Sequence, residues 1–264
     1  MNKHEMRQRG RKQDGFTLIE LVIVIVLLGI LGAMGAGFIS QAFKGFFDTD
    51  VRMEMYEEGK SALVRMEREI HIAVPNAVQA FDNGVRADSG NEIQFGVIDE
   101  NTMATASGQY VESGNTITGL PASMLISIYN TQWCNFDFRP SDCLNTKSHI
   151  YTSDATGAIA ITAIDTLSPY QRYYVVRSEA VRFYVNGTVL YRSTATVTAG
   201  GSLSMTNENP QVLAKNIVQD GGLPYFTYTP GTSTRNSVVT IHFAISRNGE
   251  TVNFHKEVQV RNVP

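Results

Sequence analysis

The sequence predicts an α+β protein. One long N-terminal helix, apolar in its first half and amphipathic in its second, packs on an antiparallel β-sheet domain. Three observations predict it. An apolar run opens at Phe16 and continues to about Ile39, broken by a single ionisable side chain, Glu20. From Gln41 apolar residues recur at helical spacing as far as Val74, where Pro75 ends the pattern. Beyond Pro75 the composition turns to Gly, Asn, Thr and Ser, interleaved with short β-branched and aromatic runs.

Taken in order, residues 1–15 form a basic leader, with Lys3, Arg7, Arg9, Arg11 and Lys12 against Glu5 and Asp14. A secretory signal peptide would also begin this way. No small-residue cleavage site follows the apolar run, however, and the run is too long for a signal core. At 1.5 Å per residue, residues 16–39 span roughly 36 Å as a helix, enough to cross a hydrocarbon core with some tilt. They read as a transmembrane helix. The basic leader holds its end in the cytoplasm, so the rest of the chain faces outward. A carboxylate within lipid costs up to roughly 2.5–3.5 kcal/mol, so Glu20 calls for a purpose beyond anchoring.

Residues 40–74 read as an amphipathic continuation of the same helix. Phe47, Val51, Met55, Ala62, Met66, Ile70 and Val74 form the apolar stripe, interrupted near Gly59. Asp48, Arg52, Glu57, Glu58, Lys60, Arg65, Glu67, Arg68 and Glu69 lie between them, as a solvated face or a partner surface. Within the anchor, Gly29, Ala33 and Gly37 repeat every four residues, as do Gly32, Ala36 and Ser40. Such rows let membrane helices approach closely.

Residues 75–264 read as one extracytoplasmic β-rich domain. Expected strands are 92–98, 124–129, 158–164, 172–177, 179–185, 188–193, 238–246 and 250–261. Asn186-Gly187 and Asn248-Gly249 both predict type I′ hairpins. The second fixes a register in which Ile245, Phe243 and Val239 oppose Val252, Phe254 and Val258 on an apolar face. On the other face Thr240 opposes Glu257, Ala244 opposes Asn253, and His242 opposes His255. Two opposed imidazoles could bind a metal, sense pH or simply be solvated. With no third ligand in view, no metal and no cofactor is expected. Cys134 and Cys143 are close in sequence and are expected to bridge in an oxidising compartment. The loop they close, with Trp133 just outside it, carries Phe136, Phe138 and Arg139, either an exposed contact surface or, the preferred reading, aromatics folding back to cap the core. The chain has no Gly-x-Ser-x-Gly, phosphate-loop, Cys-x-x-Cys or His-Glu-x-x-His pattern. Beyond the leader no dense basic patch remains, which argues against a nucleic-acid partner. No enzyme is expected.

Gly15-Phe16-Thr17-Leu18-Ile19-Glu20, behind a basic leader and ahead of a long apolar helix, resembles the prepilin motif of the type IV pilin and type II secretion pseudopilin superfamily. The resemblance implies the pilin fold. It also implies a prepilin peptidase that cuts between Gly15 and Phe16 and N-methylates Phe16. Glu20 then pairs with the N-terminal amine of a neighbouring subunit during assembly. Cleavage leaves a cationic amine at lipid depth, a buried charge needs a partner, and Glu20 is the acidic candidate in the segment. Where many major pilins carry a helix-perturbing proline, this chain has Gly37, which departs from the major-subunit pattern.

The sequence Arg65-Met66-Glu67-Arg68-Glu69-Ile70, followed by Ala73-Val74-Pro75, resembles J-type minor pseudopilins and their pilus counterparts. A C-terminal block is similar to the same group. It comprises Ala180-Val181-Arg182-Phe183-Tyr184, Leu190-Tyr191-Arg192, Leu213-Ala214-Lys215-Asn216-Ile217, Tyr225-Phe226-Thr227-Tyr228 and the last hairpin. The ending Val260-Arg261-Asn262-Val263-Pro264 resembles biogenesis proteins of mannose-sensitive haemagglutinin (MSHA) pili. The resemblance implies a minor pilin that primes pilus assembly near the tip. Its partners would be the peptidase, other minor and major pilins and an inner-membrane assembly platform. A minor pseudopilin of a type II secretion system and a pilus-tip adhesin are the alternatives.

Overall fold

The computed structural model describes residues 15–136, 143, 146–200, 209–231 and 235–260. The chain divides into two units after Asp50, and each is described by itself. In the first unit, helix α1 (Leu18–His71) begins and runs without interruption through Gly29, Gly32, Gly35, Gly37 and Gly45. No break in the helix falls at any of these glycines.

The second unit holds the rest of α1 and all the described strands. After the helix come β1 (Ala73–Asp82), β2 (Val85–Ala87), β3 (Ser89–Gly90) and β4 (Glu92–Ile98). A short helix, α2 (Glu100–Met103), is capped by the Asp99 side chain and leads to β5 (Val111–Ser113) and β6 (Thr116–Thr118). Then come β7 (Leu125–Ser127), β8 (Ile150–Thr152) and β9 (Ile159–Ala160). A long hairpin, β10 (Tyr174–Asn186) and β11 (Val189–Thr196), precedes β12 (Gln211–Lys215), β13 (Ile217–Val218) and β14 (Phe226–Thr229). The last hairpin is β15 (Ser237–Arg247) and β16 (Glu250–Val260).

One sheet runs β12-β11-β10-β4-β1-β2, with β7 joined to β10 and β8 to β7. In a second, β15 is flanked by β16 on one side and by β13 and β14 on the other, with β3 beyond β14. A small third sheet is β5-β6-β9. These pairings are antiparallel. The result is the α+β architecture that the sequence predicts.

The main core forms where the helix stripe meets the sheets. Met55, Gly59, Ala62, Met66 and Ile70 are the buried residues of α1, at steps of four and three. Met55, Ala62, Met66 and Ile70 share a cluster with Ile93 and Phe95 of β4, Phe183 of β10, and Val239, Ile241 and Phe243 of β15. Gly59, read as an interruption, belongs to the stripe. A Cβ there would lie 2.1–2.6 Å from the Phe254 ring, so only glycine lets ring and helix meet.

The helix closes at His71, a little before Val74, and Ala73 already opens β1. Pro75 therefore sits inside a strand. The β1–β4 register shifts between Ala73 and Val78, and Asn76 has φ 57°. Proline is tolerated at such a bulge because no ladder hydrogen bond is asked of it.

Other strand expectations need correction. Segments 172–177 and 179–185 are one strand, β10, with an irregularity between Val176 and Ala180. Segment 158–164 is a two-residue strand followed by a 3₁₀ turn, Ile161–Ala163. Asn186-Gly187 is not the first hairpin's loop. Asn186 pairs with Val189, so the loop is Gly187-Thr188, with φ 60° at Gly187 and no positive φ at Asn186. Glycine at the first loop position with φ positive there alone fits a type II′ turn.

Candidate functional site

The segment that carries the motif is built by helix capping. Thr17 precedes α1, and its backbone carbonyl accepts from the N–H groups of Glu20 (3.1 Å) and Leu21 (3.2 Å). Its Oγ1 accepts from the Glu20 N–H at 3.3 Å. Thr17 is thus the N-cap and Glu20 the third helical residue, the Thr-x-x-Glu spacing of a capping box. A carboxylate in the first turn also faces the positive end of the helix dipole. Sequence reasoning missed this local role, although Thr17-Leu18-Ile19-Glu20 signals it.

Gly15 and Phe16 lie before the helix. Phe16 is 81% exposed, and nothing lies within 4 Å of the Cβ that a side chain at Gly15 would add. The peptide between them is therefore accessible. Farther along, α1 holds an 18-residue window of mean hydropathy 2.7 with none of it buried. It is long and apolar enough to cross a membrane. Gly29 and Gly37 border open space, and Ala33 between them is exposed.

In the domain, Cys134 and Cys143 form a disulfide. Arg86 Nη1 donates to Cys134 Sγ at 2.9 Å. Trp133 and Phe136 are buried in a second core cluster with Val74, Ala77 and Phe81. Trp133 meets the Phe81 ring edge-on, with centroids 6.0 Å apart. These aromatics fold back on the core, as expected of them; Phe138 and Arg139 lie outside the described residues. His242 and His255 pair across β15 and β16 in the predicted register. Among the described residues no group of three or more His, Cys, Asp or Glu side chains could hold a metal.

The charged flank of α1 gives the largest revision. The sequence pattern predicts a solvated or partner face, yet much of it grips the domain's own strands. Glu69 pairs with Arg192 at 2.8 Å and with Arg65 at 3.1 Å. Glu54 meets Arg247 at 3.2 Å, Glu67 meets Lys256 at 2.8 Å, and Arg247 also bonds Glu58. Glu58 accepts from the Lys215 N–H at 2.7 Å, and Arg52 pairs with Glu250. No local sequence signal could have matched residues so far apart.

No curated protein and no solved structure matches the chain. The family profile of the prokaryotic N-terminal methylation motif matches residues 10–36, which take in Gly15, Phe16, Glu20, Gly29 and Ala33. This is a type IV pilin-like prepilin signal, and it supports the pilin and pseudopilin superfamily. With the exposed apolar helix behind it, the motif supports a membrane-anchored, single-pass chain with a pilin-like signal.

Proposed function

We propose that the chain is a minor pilin that primes or assists assembly of a type IV pilus of the MSHA kind, near its tip, through subunit–subunit contacts. The observation that carries the reading is the prepilin motif at the capped, exposed head of an apolar helix. A prepilin peptidase removes residues 1–15 by cutting between Gly15 and Phe16, and methylates the Phe16 amine. Residues 16–39 remain as the inner-membrane span and residues 40–74 as its amphipathic continuation. Residues 75–264 form the periplasmic domain.

During assembly Glu20 neutralises the Phe16 amine of a neighbouring subunit, while Gly29, Ala33 and Gly37 let helices pack closely. Other minor and major pilins and the inner-membrane platform are the partners. The minor and MSHA parts of the reading rest on the resemblance of residues 65–75 and of the C-terminal block.

Two experiments test it. Glu20→Ala should leave cleavage and membrane insertion intact but weaken co-purification with pilin partners. Losing one member of a buried charge pair costs about 3–5 kcal/mol, a hundredfold or more in affinity. Undiminished co-purification would sink the docking role. Deleting the gene should abolish filaments. Blocked enzyme export instead would identify a pseudopilin, and normal filaments that fail to adhere would identify a tip adhesin.

A further inference from the structure

We propose that His242 and His255 form a two-histidine site for a divalent transition-metal ion of the copper, nickel or zinc class, on the outer face of the β15–β16 hairpin. The argument starts in the turn. Asn248 and Gly249 have φ of 52° and 84°, and Arg247 pairs with Glu250 across them. That is a two-residue loop closed by a hydrogen-bonded pair. Pair types alternate from there, so His242 and His255 occupy a non-hydrogen-bonded pair, where opposed side chains come closest. Phe243, Phe254, Val239 and Val258 face the core, which leaves the two imidazoles on the other side of the hairpin.

The rings lie close enough to share one ion. The centroids are 4.3 Å apart, and His255 Nδ1 lies 3.2 Å from both ring nitrogens of His242, which sets it over the face of that ring. Turning the rings about Cβ–Cγ, a broad torsion for histidine, brings one lone pair of each to a shared ion with metal–nitrogen bonds of about 2.0–2.1 Å.

Asp220 and Glu257 lie near enough to act on His242 electrostatically, and the two carboxylates supply a negative field for a cation. No third side chain completes a cluster among the described residues, so water fills the remaining positions. Copper binds tightest and zinc more weakly, by the general order for such ligands.

The test is zinc chloride titrated calorimetrically into the full chain in detergent micelles near neutral pH, alongside His242→Asn, His255→Asn and the double variant. Each single substitution should weaken this site about tenfold or more, and acidification below about pH 5.5 should abolish it. Copper(II) electron paramagnetic resonance supplies a second readout. The two-nitrogen imidazole signature should be present in the wild type and lost in either single variant. The other three histidines, His4, His71 and His149, are unchanged throughout, so the difference isolates the pair. Identical zinc isotherms in all four proteins, or a copper spectrum that either substitution leaves unaltered, would overturn the proposal. Thermal melting of each variant establishes that the fold is retained, and glutamine replaces asparagine at any position where it is not.

Discussion

Single residues decide where this helix and its sheets can meet, and Gly59 is the clearest case. The Phe254 ring above it is wedged between Tyr56 and Phe243, with centroids 6.4 and 5.0 Å away, so it has little freedom to retreat. Gly59→Ala should therefore destabilise the domain by about 1–3 kcal/mol despite alanine's better helix propensity. Thermal melting in detergent reads this; a higher melting temperature would mean that the ring moves aside. His242 gives a pH dependence. Its pKa is lowered in the fold, so the folded state favours the neutral ring. The corresponding stability is fully present above the ordinary histidine value of about 6.5. It is lost as the pH falls through the lowered folded value. His242→Asn should flatten the stability-versus-pH curve across that window.

At the scale of elements, legibility followed local chemistry. The last hairpin was readable pair by pair because Asn248-Gly249 supplies two residues that tolerate positive φ, and the apolar alternation agrees with the register they set. The same dipeptide at Asn186-Gly187 misled, since β10 continues one residue further and glycine opens the loop. The corrected turn is testable. Gly187→Ala should cost about 1–2 kcal/mol, because alanine resists the left-handed conformation, while Asn186→Ala stays near neutral. Equal losses in denaturation midpoint would restore the original assignment. Pro75 looked like a full stop and proved to be a bulge, because a register shift after Ala73 removes the demand for its missing N–H. Strands of two or three residues, such as β3, β9 and β13, left no periodicity to read. The Cys134–Cys143 bridge, by contrast, was visible from spacing. Replacing both cysteines by serine should cost about 2.5–3 kcal/mol in the chain-entropy account, measured as a shift in urea midpoint.

At the scale of the whole molecule, the motif and the helix were legible from the first forty residues, but the way the domain closes was not. The apolar stripe of α1 announces that something must cover it without saying what. Its cover comes from strands spread along the chain, among them β4, β10, β15 and β16, and its ion pairs reach as far as the last hairpin. Arg52 bonds Glu250 across 198 residues of chain, and Arg247 bonds Glu58 across 189. Contacts of that span are slow to form because a long loop must close first. A chain made from its N-terminus therefore exposes Met55, Met66 and Ile70 for most of its own synthesis, and the last hairpin works as a latch. Truncation before Ser237 removes β15 and β16 from that core and should give a protease-sensitive, aggregation-prone product rather than a smaller stable domain. Until the latch closes, part of the stripe stays open to solvent, so the interval before the final strands arrive is when this chain is most vulnerable to aggregation and proteolysis.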